Sequence, residues 1–111
     1  MIEVSLSMTF RVSNVDDLDA QTDAVMDHLV DLEDSTLSDS SMDVTFSQHL
    51  VTISVLARKE TLEDALEHGS SAIRTAIHAA GGSTPDWISP EPPRSQNSKY
   101  EVTEQQSRVM H

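Results

Sequence analysis

The side chains best suited by type to bind a metal or move a proton are five histidines, His28, His49, His68, His78 and His111, set among nineteen Asp and Glu. Asp64 and His68 stand four apart in a stretch of helical period, so both would project from one helix face, as two ligands of a zinc ion can. Zinc wants at least one more protein ligand and a group to orient the imidazole. No His-x-x-x-His pair is present, so a surface ion pair or plain solvated side chains is the preferred reading. Asp23, Asp27 and Asp31 would attract divalent cations, yet carboxylates along a helix lack the encircling loop that calcium usually needs. There is no cysteine, which removes disulfides, thiolate nucleophiles and Cys-based zinc sites together. No glycine-rich phosphate loop, nucleophile elbow or local Ser/His/Asp signature occurs either. The expectation is a protein with no catalytic residues, no metal site and no cofactor.

The charge is the strongest compositional signal. The chain carries −12, and all of it falls in residues 1–88; residues 89–111 hold three acids and three bases. Between Arg11 and Arg58 there is no Lys or Arg, against ten Asp and Glu. Such a surface repels the phosphates of nucleic acids and of anionic lipids, so neither is an expected partner. Acidity of this kind also serves solubility or a high-salt cytoplasm. The N-terminus has no basic segment followed by an apolar run, and no apolar stretch approaches the ~20 residues that span a bilayer. A cytoplasmic location is expected.

The elements that must position these groups follow from a change of hydrophobic period. Residues 2–12 alternate, with Ile2, Val4, Leu6, Met8, Phe10 and Val12 apolar and Ser5, Ser7, Thr9 and Arg11 on the other side. A first helix is expected from Asp16 to Glu33, capped by Asn14, with Leu18, Val25, Leu29 and Leu32 on one stripe. Asp16, Asp23, Asp27, Asp31 and Asp34 fall nearly opposite. Like charges four apart oppose the helix by a few tenths of a kcal/mol per pair, which leucine packing must offset. After a polar loop at 35–41, Met42, Val44 and Phe46 alternate on even positions, and Val51, Ile53, Val55 and Ala57 on odd ones. That change of parity is the mark of a hairpin. A second helix begins at the Thr61/Asp64 capping pattern, runs along Leu62, Leu66, Gly69, Ile73, Ala76 and Ala80, and stops at Gly81-Gly82. Gly69 lies on the buried stripe, which points to close approach of helix and sheet. Asp86, Trp87 and Ile88 read as a short last strand. Pro90, Pro92 and Pro93 break any continuation, and residues 89–111 read as a polar, flexible tail in which Tyr100, Val102, Val109 and Met110 could dock.

The order βαββαβ with right-handed crossovers resembles the ferredoxin-like fold. It implies an α+β sandwich over residues 1–88, a four-stranded antiparallel sheet with two helices on one face. Residues 72–87, AIRTAIHAAGGSTPDW, are similar to the closing helix and strand of small uncharacterised bacterial proteins, a resemblance that transfers no functional residue. RNA-recognition motifs stack bases on aromatics of the open sheet face, whereas Ser5, Ser7, Thr9, Thr52 and Ser54 stand there in this chain. The first strand–helix turn, VSNVDD, has neither the glycine usual in amino-acid-binding ACT-type domains nor the arginine that acylphosphatases need.

The fold hosts many functions, so function must come from a site. The leading expectation is a non-catalytic binding or protein-interaction module, homodimeric through a sheet face or edge. Asp16, Asp23, Asp27, Asp31 and Asp34 would be its candidate surface for a basic protein partner. Two alternatives stand behind it. One is a small enzyme or ligand-binding protein of the dimeric α/β-barrel kind, which requires a cavity between sheet and helices. The other is an inhibitor that mimics nucleic acid with its aspartate stripe.

Overall fold

A computed structural model describes residues 1–83 and 98–110 of the chain. Strand β1 (Ile2–Ser13) leads into helix α1 (Leu18–Asp31). Strands β2 (Leu37–Thr45) and β3 (Leu50–Lys59) form a hairpin, and helix α2 (Leu62–Ala79) follows. A two-residue strand, β4 (Gly82–Ser83), and a long strand, β5 (Ser98–Val109), complete the order. The sheet runs β2-β3-β1-β5-β4. Its four long strands are antiparallel, and β4 lies parallel to β5 at the margin. Both helices pack on one face, so the α+β ferredoxin-like architecture expected from the periodicity is the one observed.

Alternation explains the layering. Val4, Leu6, Met8, Phe10 and Val12 of β1 are buried under the helices, as are Val51, Ile53, Val55 and Ala57 of β3, and the register pairs them across the two strands. Helix α1 begins one turn later than Asn14 would place it. Asp17 is its cap and accepts from the Ala20 amide at 3.1 Å, while Asn14 takes a left-handed conformation at φ 57° as β1 ends. Thr22 joins Leu18, Val25 and Leu29 on the buried stripe because its hydroxyl donates to the Leu18 carbonyl at 2.9 Å, whereas Leu32 lies beyond the helix and is exposed. Thr61 caps α2 as expected, accepting from the Asp64 amide. The stripe of α2 is rotated from the expected one: Ala65, Ala72 and Ile77 are buried, and Leu62 is exposed. A Cβ on Gly69 would stand 3.1 Å from Leu6 Cδ2 and 3.3 Å from Val55 Cγ2, so this glycine does let α2 lie close on the sheet.

Two strands differ from expectation. β2 starts at Leu37 and takes in most of the stretch expected as a loop. A register shift between Ser38 and Ser41, with Asp39 at φ 55°, interrupts its alternation. Phe46, expected on the buried side of that strand, instead opens a single 3-10 turn and is exposed. The closing strand expected at Asp86–Ile88 lies outside the described residues. The strand that pairs with β1 is Ser98–Val109, within the stretch expected as a flexible tail. Only Tyr100 and Val102 of β5 lie against the core. From Thr103 onward its side chains are exposed, so no apolar period marks it.

Tyr100 holds β5 in place. It is fully buried, and its ring meets Phe10 edge-on, with centroids 5.8 Å apart and planes at 76°. Gly82 makes room for it: a Cβ there would fall 2.9 Å from Tyr100 Cε1 and 2.8 Å from Ile77 Cγ2. Gln21 Nε2 is committed to the Ala80 carbonyl at 3.1 Å, and the Tyr100 hydroxyl has no partner within hydrogen-bond distance among the described residues. Burial pushes the phenol up to about 12, against a smaller opposing pull from Gln21. Chemical denaturation checks this arrangement. Tyr100→Ala should lose roughly 3–5 kcal/mol of stability. Gly82→Ala should lose about 1–3 kcal/mol by overpacking. Tyr100→Phe, which removes a buried hydroxyl with no partner within hydrogen-bond distance among the described residues, should gain about 1 kcal/mol.

Candidate functional site

The five aspartates singled out by spacing do not form one row. Asp23, Asp27 and Asp31 stand exposed at successive four-residue steps on α1. Asp16 precedes the helix and Asp34 follows it. None of Asp16, Asp23, Asp27 and Asp31 has an ion-pair partner among the described residues. Together the two helices bear Asp19, Asp23, Asp27, Asp31, Glu63, Asp64 and Glu67, with Arg74 as their sole Lys or Arg.

Asp34 has a local role. Its Oδ1 accepts from the Thr36 amide (2.7 Å), the Thr36 hydroxyl (2.6 Å) and the Leu37 amide (3.1 Å), shaping the entry into β2. Thr36 Oγ1 lies 2.9 Å from His68 Nε2. A hydroxyl has one proton, and here the carboxylate takes it, so His68 must donate to Thr36 through Nε2–H. The chain His68→Thr36→Asp34 thus ties the α1–β2 loop to α2. As a nucleophilic site it runs backwards, because Thr36 gives its proton to the carboxylate and receives one from the imidazole. His68 also lines an open concavity of about 330 Å³ with Lys59, Asp64, Glu67 and Ser71. Thr36 engages Nε2 of this imidazole, so only Nδ1 is left for another partner. No three His, Cys, Asp or Glu side chains converge to hold a metal among the described residues.

The open face of the sheet is a second surface. Ser7 and Ser54 hydroxyls lie 2.7 Å apart, and those of Thr9 and Thr52 2.9 Å apart, bridging the two central strands. Leu56 and Ser5 continue the same rows by register. Charges surround this uncharged centre. Arg58 Nε meets Glu3 Oε1 at 3.2 Å, and Arg58 Nη1 donates to Ser38 Oγ. Register places Arg11 beside Glu101, and Arg108, Glu104, Lys99 and Asp43 on the same face. Four of the seven Lys and Arg of the chain therefore stand here against four acids, whereas the two helices bear seven acids and one Arg. A shallow hollow of about 550 Å³ lies at one end, lined by Ser5, Ser7, Gln106, Ser107 and Arg108. Spacing alone flagged the hydroxyls; the basic groups of β5 escaped notice because that strand was not expected.

Comparison of the chain with protein-family models, with curated proteins and with solved structures returns no match. The class that the geometry defines is the fold itself, an α+β ferredoxin-like domain. No helix among the described residues is long and apolar enough to cross a membrane.

The hydrogen bonds from Thr36 hold the Asp34 carboxyl below its ordinary value of 3.8. A carboxyl depressed in the folded state contributes stability above the unfolded value, and that contribution is lost as the pH falls through the folded one. An NMR titration of the carboxyl carbons should show Asp34 protonating at lower pH than an unperturbed aspartate does. Thr36→Val should return its midpoint toward the ordinary range.

Proposed function

We propose that the chain is a non-catalytic protein-interaction module whose helix layer meets a basic partner protein. The observation that supports this most is the partition of charge. Acids are concentrated on the helices, with Asp23, Asp27 and Asp31 exposed and unneutralised by any neighbour among the described residues. Exposed like charges of this kind raise the encounter rate with an oppositely charged surface and select against acidic partners. The rival reading, a ligand pocket between sheet and helices, has no such support. The side chains there, Leu6, Met8, Phe10, Val25, Leu29, Ile53 and Ile73, are fully buried against one another. The two hollows lie on the outside and are polar.

Affinity capture on the immobilised chain at about 50 mM and about 500 mM salt tests the proposal, because screening shortens the reach of exposed charges from ~14 Å to ~4 Å over that range. A basic protein should be held at low salt and released at high salt. The variant Asp23→Asn/Asp27→Asn/Asp31→Asn should retain about ten-fold less of it at low salt. A partner that stays bound at high salt, or that the variant holds equally well, would contradict the role given to α1.

A further inference from the structure

We propose that two copies of this chain associate face to face through the open side of the sheet, around Ser7, Thr9, Thr52 and Ser54. This goes beyond the acidic helix layer: it uses the opposite surface, and a different partner.

Electrostatics select that surface. Two molecules of net charge −12 repel each other wherever their acidic sides meet. Among the described residues, the open sheet face is a broad surface on which bases and acids balance, Arg11 beside Glu101 and Arg58 paired with Glu3. It also has the layout of an interface, with charges confined to a rim around an uncharged centre. The centre is not a poor surface to dehydrate. Ser7 with Ser54 and Thr9 with Thr52 already satisfy one another across the strands, at 2.7 and 2.9 Å, so drying them strands fewer polar groups than unpaired hydroxyls would. Leu56, in register with Ser5, adds an apolar contact at the edge of the centre. Small side chains keep the face flat enough for close approach of a second sheet.

The area suffices. Four strands at ~4.8 Å spacing and about ten residues each at ~3.3 Å give roughly 600 Å² per copy. A pair would bury about 1,200 Å², at the lower end of specific stable interfaces. The dimer is therefore expected to be moderate in strength and sensitive to the charge both copies carry elsewhere.

The salt response separates this proposal from the previous one. Capture of a basic partner weakens as salt rises. Face-to-face association should instead tighten, by about ten-fold between about 50 mM and about 500 mM, as repulsion between the acidic surfaces is screened. Sedimentation equilibrium of the full chain over a concentration series at both salt levels measures it. The variant Ser7→Arg makes the test specific. It lowers the net negative charge, so it would favour any association limited only by global repulsion. At the centre of a two-fold interface it instead sets two guanidinium groups against each other and should abolish the dimer, with the melting curve preserved. Thr52→Lys serves in the same way if Ser7→Arg does not fold. The expected result is a wild-type dimer that strengthens with salt and a folded monomeric variant. A wild type that stays monomeric at high salt, or a folded variant that dimerises like wild type, overturns the proposal.

Discussion

The ring of Tyr100, wedged between Phe10 and the bare backbone of Gly82, is the contact on which the rest of the structure depends. β1 is the central strand, flanked by β3 on one side and by β5 on the other. Without β5, its second edge would lie open, and the buried row Val4–Val12 would lose its cover on that side. β5 brings little else to the core, since only Val102 joins Tyr100 there and the later residues are exposed. One aromatic side chain therefore carries most of the hydrophobic attachment of a twelve-residue strand, while the backbone ladder to β1 supplies its register. Phe10 has two jobs as a consequence, core residue and anchor plate.

That arrangement shapes the surface. Bringing β5 against β1 places Lys99 and Arg108 on the open face, where they help offset Glu101 and Glu104. A three-stranded sheet would leave that face narrower and with fewer bases. The two surfaces then differ in kind: a helix layer with exposed, uncompensated aspartates, and a sheet face with a hydroxyl centre and a balanced rim. They suit partners of opposite electrostatic character, and salt acts on them in opposite directions.

Much of the fold was legible in the sequence because the signals were local. Strict alternation fixed β1 and β3, Thr61 marked the start of α2, and the position of Gly69 on the buried stripe foretold the close approach to Leu6 and Val55. The misreadings have tertiary causes. Asn14 looks like a cap but is spent on the left-handed exit from β1, leaving Asp17 to cap α1. The bulge at Asp39 hides the early half of β2. β5 is invisible to periodicity because helices cover only its start, so that beyond Val102 neither face needs an apolar residue. The site was legible only in part. Aspartate spacing located the exposed row on α1, but the capture of Asp34 by Thr36, and of Thr36 by His68, joins residues thirty-two apart and depends on how the α1–β2 loop meets α2.

The claim that β5 is an integral part of the core is tested most directly by amide hydrogen exchange read residue by residue. If Tyr100 locks the strand, the amides of β5 that bond to β1 near Tyr100 and Val102 should exchange as slowly as those that join β1 to β3, through the same global opening. Exchange of those β5 amides at the rate of an unfolded chain, with β1 and β3 still protected, would show that the strand is not held by the core and would contradict the account.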